Sequence, residues 1–325
     1  MNRNGRLRGW GGVGGMALAC AAAASLLVPV SRHGADEDST QVGGSGVAQG
    51  VQAKADTCKD PEASLPPSPA DGPSIEKIRK AGKLYAGVDQ NSFRWGYRNP
   101  NTGELEGFDI DLVRAIAKNI LGDPDAVIYR AIPTSQRISA LQNNQVDVVV
   151  RTMTITCKRI EQVAFSSAYF TVGQQVLAPK QSSITGFNST LNGKRVCVAA
   201  GSTAFDALEK ESNGAVYKNQ TVPNQLDCLV RLQLGLADAV VTDSALAASQ
   251  AAQDPTVQLK GVPLTPEYYG VATNLQNTDL VRRINQVLVD YRNGGEGSPW
   301  MTAYRKWLAA DLPGITGPPE PKYRS

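Results

Sequence analysis

The chain has 325 residues, 42% hydrophobic and 19% charged, a globular balance with room for two domains of ordinary size. Residues 1–35 hold four basic residues (Arg3, Arg6, Arg8, Arg32) and no acidic one; without them 29 basic residues face 30 acidic, which argues against a nucleic-acid partner. The one histidine, His33, lies in that same stretch, so a Ser-His-Asp triad, a Cys-His pair and a histidine zinc site are excluded from the folded part.

Residues 1–35 read as an export segment: three arginines precede an apolar stretch from about Gly11 to Val30, within which lies Ala17-Leu18-Ala19-Cys20. Three readings fit. Cys20 is lipidated as in a lipobox, the chain is cleaved after Ala17-x-Ala19, or the segment stays as an uncleaved anchor, since about 20 apolar residues can span a bilayer. All three put the rest of the chain outside the cytoplasm, and the first and third tether it to the outer face of the cell membrane. Without Cys20, four cysteines remain (Cys58, Cys157, Cys197, Cys228), an even number that suggests two disulfides in an oxidising compartment. Their spacing matches no zinc pattern, and all three pairings stay open.

Residues 36–73, with "STQVGGSGVAQG" and "SLPPSPADGP", read as a flexible linker, and 313–325 as a Pro-rich tail. Between them helices and strands alternate. "SIEKIRKAG" is a helix stopped by Gly82, and "KLYAGV" a strand. "RNPNTGELEG" carries turn signals. "GFDIDLVRAIAKNILG" is an amphipathic helix with Leu112, Val113, Ile116 and Ile120 on one face, ended by Gly122. "AVIYRAI" is a strand, "TSQRISALQ" a helix with Thr134 as N-cap, and "VDVVV" a strand. This alternation predicts an α/β fold with mainly parallel sheets. The pattern recurs: "LQNNQVDVVV" (141–150) resembles "LQLGLADAVV" (232–241), and "GKLYAGV" echoes "GKRVCVA" (193–199), which predicts two similar α/β lobes.

In open α/β sheets ligands bind beyond the carboxyl ends of the strands. Those ends carry Asp89, Asn91 and Phe93; Arg151, Thr152, Thr154 and Arg159; Gly201, Ser202 and Thr203; and Asp243. Read singly, Arg159 is a solvated turn residue, Gly201-Ser202-Thr203 a common helix entry, Asp243 an N-cap and Asp89 a turn residue. Together they complement one small zwitterion. Arg159 suits a carboxylate, the Gly201–Thr203 amides at a helix start suit an anion, and Asp243 suits an ammonium group.

"GFDIDLVRAIA", "RISALQNNQVDVVVRTMTITCKRIEQVAFSSAYF", "LNGKRVCVAAGST" and "ADAVVTDSALA", in this order over about 74–310, resemble the polar-amino-acid family of bacterial solute-binding proteins, which serve ATP-driven importers. The "TMTITC" and "KRVCVA" segments resemble those of actinobacterial glutamate/glutamine binders. The resemblance implies a periplasmic-binding-protein-like fold (type II) of two α/β lobes joined by two hinge strands. Lobe 1 would be 74–170 plus 271–312, and lobe 2 174–267. It pairs Cys197 with Cys228 inside lobe 2 and Cys58 with Cys157, clipping the N-terminal segment to lobe 1. It makes Arg159 the clamp for an α-carboxylate, with the Thr154 amide or hydroxyl and the Ser202 and Thr203 amides. The α-ammonium goes to Asp243 and the Thr152 carbonyl. Arg137, at a position where some glutamate/aspartate binders contact the side-chain carboxylate, joins Arg151, Asn91, Arg94 and Asp89 as candidates for the ligand's side chain. Phe93 or Trp95 is the candidate for stacking on it.

Several arginines around one site favour an acidic ligand, since a buried unpaired guanidinium is costly. Glutamate is therefore expected first, then aspartate, glutamine and asparagine. Binding would close the lobes, and the closed form would dock on the permease of the importer, with no catalysis, no cofactor and no metal. The protein is expected to act as a monomer. Two rivals on the same fold are an amino-acid sensor for a membrane signalling partner and a dehydratase-like enzyme with Asp89 as acid.

Overall fold

The alternation of apolar strands and amphipathic helices is realised over residues 58–324, the part of the chain that the computed structural model describes. The export segment with Cys20, and residues 36–57, lie outside the described residues. Lobe 1 begins with α1 (Pro73–Ala81), β1 (Leu84–Val88), a short meander of β2 (Asn91–Ser92), β3 (Gly96–Arg98) and β4 (Leu105–Glu106), then α2 (Phe108–Leu121) and β5 (Val127–Ala131). It continues through α3 (Arg137–Gln142), β6 (Val148–Val149), α4 (Cys157–Ile160) and β7 (Val163–Phe165). After β8 (Phe170–Val172) come the elements of lobe 2: β9 (Gln174–Pro179), β10 (Val196–Ala199), α5 (Thr203–Lys210), β11 (Thr221–Val222), α6 (Gln225–Gln233), β12 (Ala239–Asp243), α7 (Ser244–Gln253) and β13 (Val257–Lys260). The chain returns through β14 (Glu267–Tyr269) to β15 (Ala272–Asn274), α8 (Thr278–Arg292) and α9 (Pro299–Trp307).

Each lobe is built on a five-stranded sheet, in the orders β5-β1-β6-β15-β7 and β11-β10-β12-β9-β13. Within each, three strands run parallel, as expected of β-α-β units. Four of the five strands in each sheet point the same way and one is reversed. β15 is antiparallel to β6 and β7, and β9 to β12 and β13. The cause is the crossing between lobes, which delivers these strands from the opposite end. β8 and β14, the two crossing strands, pair antiparallel with each other. The carboxyl ends of β1, β6, β10 and β12 are thereby brought to one cleft.

Helix limits follow local chemistry. α1 and α2 end where Gly82 (φ 65°) and Gly122 (φ 80°) take the left-handed conformation that glycine adopts without strain. Leu112, Val113, Ile116 and Ile120 of α2 are buried as their periodicity predicts. They join a core with Trp95, Phe108, Phe170 and Trp300, where each fully buried large side chain contributes roughly 1.5–3 kcal/mol. Thr134 is not a helix cap. It opens a 3₁₀ turn (Thr134–Gln136) and makes no cap hydrogen bond with its side chain.

The Pro-rich flanks also depart from expectation. Residues 58–72 are not a flexible linker but run along lobe 1. The Ser64 hydroxyl donates to the Phe165 carbonyl (2.7 Å), and Asn285 of α8 donates to Ser64 Oγ (2.9 Å) and to the Leu65 carbonyl (2.6 Å). Arg283 pairs with Asp71. The tail lies beside this segment. Lys322 Nζ meets Asp60 (2.9 Å) and Glu62 (2.6 Å), and the Arg324 amide donates to the Ser64 carbonyl (2.7 Å). Such segments lack apolar periodicity because side chains of α8 and of the tail hold their backbone, so composition alone reads them as loose. The disulfides are Cys58–Cys157 and Cys197–Cys228, the pairing that the resemblance implies. Among the described residues no helix is long and apolar enough to cross a membrane.

Candidate functional site

β6 is only two residues long because the chain leaves the sheet at once through Arg151-Thr152-Met153-Thr154. Thr152 sits at φ 42°, a left-handed conformation that is sparsely populated for a β-branched residue. Asp109, in the first turn of α2, holds it there by accepting from the Thr152 amide (3.0 Å), while its other oxygen accepts from the Tyr169 hydroxyl (2.8 Å). Burial raises the Asp109 carboxyl to about 7 despite those two hydrogen bonds.

Arg159 rides on α4, a single turn whose N-cap Thr156 accepts from the Arg159 amide. Its guanidinium reaches across the cleft, donating to the Thr154 carbonyl of lobe 1 (2.7 Å) and the Gly201 carbonyl of lobe 2 (3.1 Å). Gly201 (φ 72°) lets the second lobe come this close. A Cβ there would stand 3.0 Å from Ser135 Cα. Arg137 donates to the carbonyls of Thr134 (2.9 Å), Gly201 (3.3 Å), Arg151 (3.3 Å) and Thr152 (3.4 Å). Burial lowers both arginines, and the Arg159 and Arg151 charges lower Arg137 further.

Opposite them lies an acidic group. Asp243 stands at the N-cap position of α7 but makes no cap hydrogen bond. Its carboxylate instead accepts from Gln174 Nε2 (2.5 Å) and from the Tyr269 hydroxyl (2.5 Å). Glu267 lies beside it, accepting at Oε2 from the Thr154 hydroxyl (2.9 Å), the Thr203 hydroxyl (2.9 Å) and Gln174 Nε2 (3.0 Å). Burial raises both carboxyls, and the neighbouring Asp243 raises Glu267 further. Glu267 and Gln174 were not among the expected residues. Glu267 opens the crossing strand β14 and Gln174 opens β9 just after the crossing strand β8, where only the three-dimensional path reveals their neighbours.

At the far end Arg151 forms a buried ion pair with Asp89 (3.0 Å) and donates to Thr134 Oγ1 (2.9 Å) and Asn224 Oδ1 (3.2 Å). Asp89 also accepts from the Ser92 hydroxyl and from the Gln90 and Asn91 amides. Arg151 is therefore not an unpaired guanidinium, which removes one premise of the acidic-ligand argument.

The structure brings Arg137, Arg151, Thr152, Thr154, Arg159, Ser202, Thr203 and Asp243 around one space, closed to about 10 Å³ and adjoining a cavity of about 190 Å³ beyond Arg159. Ser202 spends its hydroxyl on capping α5 and on the Ala199 carbonyl. Asn91 and Phe93 line a separate small cavity against Leu226 and Leu246. Trp95 is wholly buried among Phe108, Phe170 and Tyr269, and Arg94 pairs with Asp311 (2.6 Å). Neither Trp95 nor Arg94 belongs to the cleft.

A family model for bacterial extracellular solute-binding proteins, family 3, matches residues 84–310. The ABC transporter glutamine-binding protein GlnH of Bacillus subtilis (strain 168) is 34% identical over 239 residues, covering 73% of this chain and 85% of its own. A glutamine-binding protein of Geobacillus stearothermophilus is 36% identical over 203 residues, covering 62% and 76%. A solved ancestral arginine-binding protein bound to glutamine superimposes with a TM-score of 0.64 at 35% identity, covering 70% of this chain and 98% of its own. These relatives bind solutes and are not enzymes, and the fold is the two-lobed periplasmic-binding-protein type II fold. The chain therefore belongs to the bacterial extracellular solute-binding proteins, family 3.

Proposed function

We propose that this protein captures an amino acid with an amide or acidic side chain between its lobes and presents it to the permease of an ATP-driven importer. The observation that carries the reading is the facing of Arg159, from lobe 1, and Asp243, from lobe 2, across one buried cleft. Arg159, the Thr154 amide and the Thr203 amide at the start of α5 suit an α-carboxylate. Asp243 and the Thr152 carbonyl suit an α-ammonium. The lobes, 74–170 with 271–312 and 174–267, would close about β8 and β14.

Glutamine now ranks ahead of glutamate. Arg151 is paired with Asp89, and the charges of Arg137 and Arg159 are matched in number by Asp243 and Glu267. A zwitterion without net charge keeps that balance. Thr134, Asn224 and Gln225 beside Arg151 offer both donors and acceptors, which suits a carboxamide. Two relatives named for glutamine point the same way.

Calorimetric titration of the full chain, stripped of endogenous ligand, against glutamine, glutamate, asparagine, aspartate, arginine and leucine tests this. Glutamine is expected to bind tightest, and Arg159→Ala to weaken it by about 100-fold or more, the scale of losing a buried charge-assisted contact. Preferential binding of leucine or arginine would overturn the side-chain assignment, and full affinity in Arg159→Ala the head-group assignment.

A further inference from the structure

The hydrogens around Glu267 can be counted. An ionised carboxylate only accepts, and a hydroxyl has one proton to give. The Thr154 and Thr203 hydroxyls both spend theirs on Glu267 Oε2 (2.9 Å each). Gln174 Nε2 has two hydrogens and three acceptors in reach: Thr203 Oγ1 (2.9 Å), Asp243 Oδ1 (2.5 Å) and Glu267 Oε2 (3.0 Å). Gln174 Oε1 is buried with no donor at all. The cluster is short of N–H and O–H groups, and Glu267 lies behind the residues that line the cleft rather than among them.

We infer that Glu267 is a positioning residue that fixes the Thr154 and Thr203 hydroxyls as acceptors and so makes this end of the cleft select an ammonium group. With their protons turned toward Glu267, these oxygens offer lone pairs to the ligand. An ammonium group, with three N–H donors, supplies what the cluster lacks. A carboxylate or a hydroxyl-free carbon placed there leaves acceptors facing acceptors or unpaired. A glutamine at 267 reverses the arrangement, because its amide can donate to Thr154 and Thr203 and release their protons toward the cleft. The inference rests on the reading that the ligand is an amino acid.

The test compares L-glutamine with 4-carbamoylbutanoate, the same molecule without its ammonium group, on full-length wild type and Glu267→Gln, by calorimetry and by thermal shift up to millimolar ligand. Wild type should prefer L-glutamine strongly. Glu267→Gln should lose about 10- to 100-fold for L-glutamine, the scale of a hydrogen bond to a charged group, and change less than about 3-fold for the deaminated analogue. Thr154→Val, which removes one of the two hydroxyls, should narrow the same preference and serves if Glu267→Gln does not fold. Equal losses for both ligands would reduce Glu267 to a structural role and overturn the inference, as would an unchanged preference in both variants. Wild type that binds none of the six amino acids tested above would instead sink the amino-acid reading itself.

Discussion

Asp109 touches no part of the cleft space, yet it sets the turn from which the Thr152 carbonyl faces Arg137. Its carboxyl, raised to about 7 from an ordinary 3.8, carries a pH signature. The folded chain holds this proton more tightly than the unfolded chain, so stability falls as pH rises between about 4 and 7 and levels off above. Asp109→Asn keeps an acceptor for the Thr152 amide and removes the charge. Denaturant unfolding at pH 5 and pH 8 should show a smaller loss of stability across that interval in the variant than in wild type, by on the order of 1–3 kcal/mol. An identical pH dependence in both would mean that the carboxyl is already ionised at pH 5. At this scale the sequence was half legible. Arg159 and Asp243 announced themselves by standing after apolar strands. The Asp89–Arg151 pair was also within reach, since β1 and β6 are parallel neighbours whose ends must meet. Glu267 was not, because its proximity to Thr154 and Thr203 depends on how two lobes fold over a crossing strand.

The elements themselves were more legible than their contacts. Periodicity and glycine stops marked α1 and α2 because a buried stripe and a left-handed end are local properties. Strand direction was not local, so the antiparallel β9 and β15 escaped notice. The disulfides act at this scale. Cys197–Cys228 closes a loop within lobe 2, with a sequence separation of 31 residues, and Cys58–Cys157 spans 99. By the chain-entropy account each is worth roughly 3–5 kcal/mol. The second has a further effect, since Cys157 opens the turn that carries Arg159. Cys58→Ser/Cys157→Ser should lower the Tm and also weaken ligand binding several-fold, whereas Cys197→Ser/Cys228→Ser should lower the Tm with little change in affinity. Calorimetry on the two double variants separates these outcomes, and equal affinities in both would deny the link between Cys157 and Arg159.

For the molecule as a whole, contacts that cross the cleft are the currency of closure. Thr134 donates to Gln225 Oε1 (3.2 Å), its amide donates to the Pro223 carbonyl (3.2 Å), and Arg137 and Arg159 share the Gly201 carbonyl. A ligand that touches both lobes shifts the balance toward the closed form by its differential affinity for it. Small-angle scattering should therefore show a smaller radius of gyration with glutamine than without. Gln225→Ala, which removes a cross-cleft acceptor together with one of the groups offered to the carboxamide, should cost about 5- to 100-fold in affinity, the effect of one or two modest hydrogen bonds. No change in scattering on binding would argue against closure as the mechanism.

The segment after Cys58 and the tail ending at Arg324 are stitched to each other and to lobe 1. The described chain thus starts and finishes on the same jaw of a vise. Whatever holds either end, a surface, a tag or a membrane, grips only the fixed jaw and leaves the other free to travel. A reporter dye on lobe 2 would then register each capture as motion against a stationary base, whichever end is used for the mount.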